Sequence, residues 1–145
     1  MIGGLVALKV DPNIMAKLAG QRMSMIVTGT NGKSTTTRMA ANALRTAYTV
    51  ATNDGGDNMD AGIVSALNQD LDADAICLEV DEMHVPHVMD ALSPTVLVLL
   101  NLSRDQLDRV GEINTIERRL REAVAAHPDT IVAVSYTHLT LPTIS

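Results

Sequence analysis

The sequence has no tryptophan and no phenylalanine, and aromatic residues make up only 1% of it. An aromatic core is therefore excluded. The interior has to be built from Ala, Val, Ile, Leu and eight Met within a hydrophobic content of 46%, which favours helices packed closely on a sheet. A single cysteine, Cys77, rules out an internal disulfide and fits a reducing compartment, so a cytoplasmic location is expected. No run approaches the roughly 18 apolar residues of a membrane-spanning helix. The opening MIGGLVALKVDPN also lacks the architecture of a secretory signal. With a formal charge of -6 there is no excess of Lys and Arg to recommend a long nucleic-acid or anionic-membrane surface, although a local basic site stays open.

Across 145 residues, enough for one domain or part of one, continuously apolar segments alternate with helix-forming ones. Strands are expected at MIVTG (25–29), YTVAT (48–52), AICLEV (75–80), TVLVLLNL (95–102) and TIVAV (130–134), with helices at about 33–46, 59–69, 86–92 and 113–126. Strands that do not alternate are strands covered on both faces. The alternation predicts an α/β fold with a mostly parallel sheet flanked by helices. The turn residues of NDGGDN (53–58), Pro86 in a first helical turn, and Pro94 and Pro128 ahead of strands agree with these boundaries.

The last twelve residues, VSYTHLTLPTIS, have no apolar period. Their first ten resemble the translation of a transposase adapter used in preparing sequencing libraries. Residues 134–145 are therefore expected to be a non-native tail without function, following a partial domain at 1–133.

Ligands of an open parallel sheet bind outside the carboxyl ends of the strands, and three strand exits carry chemistry. At T-G-T-N-G-K-S-T (28–35), Gly29 and Gly32 allow close backbone approach and Lys33 adds a charge for β and γ phosphates. Either Ser34 or Thr35 offers a hydroxyl to Mg2+. The full G-x-x-x-x-G-K-[ST] loop would need glycine where this chain has Val27. At L-E-V-D-E (78–82), Glu79 is the best-placed carboxylate for Mg2+, with Asp81 and Glu82 as competitors. His84 and His87 follow, three apart and without a convincing third ligand, and so read as surface residues. The third exit, N-L-S-R-D-Q-L-D-R-V-G-E (101–112), offers Asn101 near a nucleotide or metal-bound water, then a polar turn with Arg104, Asp105 and Asp108.

GTNGKSTTTRM, TNDGGDNMDAGI, LEVDE and NLSRDQLDRVGE, in this order, resemble the ATPase domain of the Mur ligase family, whose phosphate loop is the shortened G-T-x-G-K-[ST]. More narrowly they resemble its MurT-like branch, the ligase-like subunits of lipid II isoglutaminyl synthase. The resemblance spans about residues 6–133 and implies ATP-dependent amidation of the D-glutamate α-carboxylate of lipid II through an acyl phosphate. Ammonia would come from a GatD-like glutaminase partner. Thr30, Asn31, Gly32, Lys33, Ser34 and Thr35 are then expected to hold the triphosphate, Lys33 also acting catalytically by stabilising the transferred phosphoryl group. Ser34 and Glu79 are the expected Mg2+ ligands, and Asn58 and Asn101 the expected neighbours of the nucleotide or acyl site.

Amino-acid-adding Mur ligases usually carry a D-H-x-D turn and a carbamylated lysine beyond it. Here the turn is Asp105-Gln106-Leu107-Asp108 and the helix reads IERRLREAV, without lysine. Both departures favour the MurT-like branch and put a second metal site in doubt. The resemblance further implies absent parts: the rest of the ATPase domain, a Cys-rich zinc ribbon holding any structural zinc, and a C-terminal domain. Catalysis by these residues alone is not expected, and an incomplete sheet would leave an exposed edge. The competing readings are another Mur-like amino-acid ligase and a non-catalytic P-loop module.

Overall fold

The computed structural model describes residues 2–102 and 110–135. The elements run α1 (Ile2–Val10), α2 (Ile14–Ala19), β1 (Met23–Thr28), α3 (Lys33–Leu44), β2 (Val50–Thr52), α4 (Asp60–Gln69), β3 (Ala75–Glu79), α5 (Val85–Leu92), β4 (Val96–Leu99), α6 (Val110–Ala126) and β5 (Ile131–Val134). The strands form one five-stranded sheet in the order β2-β3-β1-β4-β5, with every pairing parallel. All the strands expected from the sequence are present: β1 begins two residues earlier and ends one earlier than expected, β2, β3 and β5 are shorter by one or two residues, and β4 stops at Leu99, three residues short of the expected end. Val134, assigned to the tail, is the last residue of β5 and is paired with Leu99; residues 136–145 and the 103–109 turn lie outside the described residues.

Alternation along the central strands divides the interior. Ile26, Ile76, Leu78 and Leu97 point to a large core with Ile63, Leu67, Val88, Met89 and Leu120 from α4, α5 and α6. Full burial of each such side chain is worth about 1.5–3 kcal/mol. The opposite face holds a small core, where Ala75 and Cys77 of β3 meet Val50 and Ala41 of α3. The small residues of α3, expected from the Ala- and Thr-rich run, let it lie close over β3 and β1. β5 ends the strand order on one side, and its Ile131 is 63% exposed.

The two N-terminal helices were not expected. They pack against α4 and α5, and Arg22 secures the join. Its Nε donates to Ala19 O at 3.1 Å and its Nη2 to Leu18 O at 2.7 Å, at the end of α2. Its Nη1 reaches Asp70 O at 2.9 Å and Ala73 O at 3.1 Å, in the connection from α4 to β3. One guanidinium thus serves carbonyls of two chain segments and places positive charge at two helix C-termini. No helix among the described residues is long and apolar enough to cross a membrane.

Two outcomes are expected. Arg22→Ala should cost about 1–3 kcal/mol of stability, since it strips charged donors from several carbonyls at once, and Arg22→Lys should recover only part of this because an ammonium cannot span the same set. Chemical denaturation of the three proteins measures it. Burial pushes the Cys77 thiol from 9.0 up to about 11, so the folded state prefers the protonated form. Its contribution to stability is intact below pH 9 and lost as pH rises toward 11. A disulfide reagent at pH 8 should label Cys77 only after the protein is unfolded.

Candidate nucleotide and metal site

Strand order brings the three chemically equipped exits together, because β1 lies between β3 and β4. Pairing of Val27 with Glu79 and of Thr28 with Leu99 sets the ends of the three strands level. The turn after β1, Glu79 and Asn101 consequently share one end of the sheet.

The turn depends on two glycines. Gly29 has φ +146°, and a Cβ there would stand 2.9 Å from the Leu100 side chain and 3.0 Å from Asn101 N. Gly32, at φ +88°, occupies the position just before α3 in a left-handed conformation. Asn101 holds the loop from the β4 side: its main-chain oxygen accepts from Thr30 N at 2.9 Å, its Oδ1 accepts from Asn31 N at 3.0 Å, and its Nδ2 donates to Asn31 O at 3.0 Å. Asn101, expected near the nucleotide or acyl site, thus has both ends of its amide engaged by the loop. Asn31, Gly32, Ser34 and Thr35 are exposed, with Lys33 and Thr30 half-buried. The first turn of α3 directs backbone N–H groups into this space.

Lys33 is folded back. Its Nζ donates to Gly29 O at 2.5 Å and lies 3.6 Å from a Glu82 oxygen, both side chains being 13% exposed. Glu82, a competitor for the metal in the sequence reading, is here the counter-charge of the lysine.

Glu79 is only 3% exposed. Ser34 Oγ donates to its Oε2 at 2.8 Å, and Asn58 Nδ2 to its Oε1 at 3.4 Å. No ion pair involves Glu79 among the described residues. A buried carboxylate with neutral donors and no cation is costly, and its environment is one that a divalent cation beside Ser34 would complete. The residues present therefore fit a triphosphate with its metal: a loop seated so closely on Leu100 and Asn101 that Gly29 has no room for a Cβ, one ammonium, and a hydroxyl–carboxylate pair.

Asn53, unlike Asn58 of the same NDGGDN segment, is not singled out by the sequence. It is 7% exposed. Its Oδ1 accepts from Glu79 N at 2.8 Å, and its Nδ2 donates to Glu79 O and Asp57 O, both at 2.8 Å. The amide continues the sheet beyond the short β2 and fixes the Glu79 backbone. Only its place after an apolar strand hinted at this. Arg104, Asp105 and Asp108 lie outside the described residues.

The Mur ligase middle domain matches residues 27–138. The MurT subunit of lipid II isoglutaminyl synthase from Streptococcus pneumoniae is 35% identical over 137 residues, covering 91% of this chain and 31% of the relative. Its counterpart from Staphylococcus aureus strain COL is 36% identical over 126 residues, covering 84% and 29%. A UDP-N-acetylmuramoylalanine–D-glutamate ligase from Nitrobacter hamburgensis is 37% identical over 112 residues, covering 74% and 23%. This chain thus spans under a third of the length of each. Among solved structures, MurF ligase from Thermotoga maritima in complex with ADP superposes with a TM-score of 0.73 at 24% identity, over 89% of this chain and 32% of that one. The shortened loop, the parallel sheet and the match over residues 27–138 together make this chain a member of the Mur ligase family.

Proposed function

We propose that these residues form the nucleotide-binding part of an ATP-dependent carbon–nitrogen ligase that amidates the D-glutamate α-carboxylate of lipid II to D-isoglutamine in peptidoglycan synthesis. The observation that carries the nucleotide reading is the buried Glu79–Ser34 pair beside the loop, a carboxylate without a cation next to a phosphate cradle. The choice of branch rests on the 35–36% identity to MurT subunits. Ammonia would come from a GatD-like glutaminase subunit, and the work would take place in the cytoplasm at the membrane face where lipid II is presented.

In this reading Thr30, Asn31, Gly32, Lys33, Ser34 and Thr35 surround the triphosphate, while Ser34 and Glu79 hold Mg2+. Mg-ATP supplies the phosphoryl group that turns the carboxylate into an acyl phosphate. Lys33 leaves Gly29 O and Glu82 for the β and γ phosphates, where it offsets charge gathering on the transferred group. Asn53 keeps the Glu79 backbone from shifting when the metal site fills, and Asn58 orients one carboxylate oxygen. The chain's own parts bind and position. The acceptor and the ammonia route belong to the remainder of the protein and to its partner.

A second reading, a ligase that adds an amino acid, is favoured by the D-glutamate ligase relatives. Measuring which nucleophile is incorporated, ammonia or an amino acid, separates the two.

In full-length protein with its glutaminase partner, Lys33→Ala should lower ATP-dependent amidation by at least about 10²–10³-fold while leaving the circular dichroism spectrum unchanged; unaltered turnover would reject the role. For Glu79→Ala the loss should shrink as Mg2+ is raised, because metal affinity is what has been damaged. A defect indifferent to Mg2+ would shift the assignment to Asp81 or Glu82.

A further inference from the structure

His84 and His87 lacked a third ligand in the sequence, and the fold provides it. Asp60, the first residue of α4, meets both at the start of α5. Its Oδ1 lies 2.8 Å from His84 Nδ1 and 2.7 Å from His87 Nε2. The two rings stand edge to face, with centroids 5.2 Å apart and planes at 69°, so different nitrogens of the two imidazoles converge on one oxygen. We propose that Asp60, His84 and His87 form a surface site for a transition-metal ion of the zinc class, separate from the Ser34–Glu79 pair.

The donor set selects the ion. Two imidazole nitrogens and one carboxylate oxygen suit Zn2+ and its borderline neighbours, whereas Mg2+ and Ca2+ require mostly oxygen. The three donor atoms lie within 4.8 Å of one another. Around tetrahedral zinc with bonds of about 2.0–2.1 Å, ligand atoms stand about 3.3 Å apart. The present contacts would open by about 0.5 Å as the metal replaces the shared protons. The side chains can make that adjustment, since those of Asp60, His84 and His87 are 31%, 27% and 51% exposed. An exposed site with three protein ligands leaves the fourth position to water.

The backbone beneath is already organised. Asp81 N donates to Asn58 O at 3.0 Å, and His84 N to Asp81 O at 2.9 Å. These bonds tie the segment ahead of α4 to the segment ahead of α5. Two helix N-termini meet here, which opposes a cation; the Asp60 carboxylate offsets that field, and the Asp57 and Asp81 carboxylates accept from Met59 N and Met83 N close by. A bound ion would clip α4 to α5 just beyond Asn58, the neighbour of Glu79.

The test is zinc titration of the full-length protein in competition with a chromophoric chelator, under saturating Mg2+, for wild type, His84→Gln/His87→Gln, Asp60→Asn and Glu79→Ala. Wild type and Glu79→Ala should each bind one more equivalent than the double-His variant, and Asp60→Asn should hold that equivalent at least tenfold more weakly. Co2+ added in its place should give visible bands without thiolate charge transfer, which separates this site from any Cys-ligated zinc elsewhere in the full-length protein. Zinc should also raise the melting temperature of wild type more than that of the double-His variant, a comparison that needs only folded starting material. Equal stoichiometry and affinity in wild type and the double-His variant would overturn the proposal, as would loss of the equivalent in Glu79→Ala alone.

Discussion

A carboxylate buried at the end of an interior strand is the constraint around which this end of the molecule is arranged. Glu79 sits where β3 leaves the sheet, 3% exposed, and an ionised group in that position needs donors on every side. Ser34 supplies one from the helix after β1, Asn58 another from the segment ahead of α4, and Asn53 anchors the peptide itself from the end of β2. Elements that are distant in sequence are thereby held to a common point. No ion pair among the described residues reaches the carboxylate itself.

The loop after β1 obeys a different rule, that of space. Leu100 and Asn101 press against Gly29 so closely that a methyl group would collide, and Asn101 then serves the loop through its main chain and both ends of its amide. β4 therefore ends at Leu99, not at residue 102 as its apolar run suggests. Of the apolar residues beyond it, Leu100 lies against the glycine turn and Leu102 packs back on the large core.

Periodicity and punctuation carried most of the architecture. β1, β3 and β4 are continuous apolar runs because both of their faces or their neighbours exclude water, and such runs are readable in one dimension. The N-terminal helices were not, for a physical reason: α1 contains Gly3 and Gly4, poor helix formers, and exposes Ile2, Leu5, Val6 and Val10, so it shows no amphipathic stripe. It is stable as a helix because it lies on α4. The glycine turn after β1 and Glu79 could be singled out in one dimension since each lies within a single short motif. Asn53, the Glu82 partner of Lys33 and the Asp60 partner of the histidines were illegible, because each acts on a residue more than twenty positions away in sequence and only the fold brings the two together. A motif names the groups that meet a ligand more readily than the groups that hold them still.

The order β2-β3-β1-β4-β5 also carries a consequence for how the chain comes together. Among the described residues β2 pairs with β3 alone, which is made after it, so β2 cannot take its place in the sheet, nor the Asn53 clamp close, until β3 has been synthesised. Loss of β3 pairing would release β2 and the whole arrangement around Glu79 in a single step, whereas β5 could detach from β4 with the cradle still assembled.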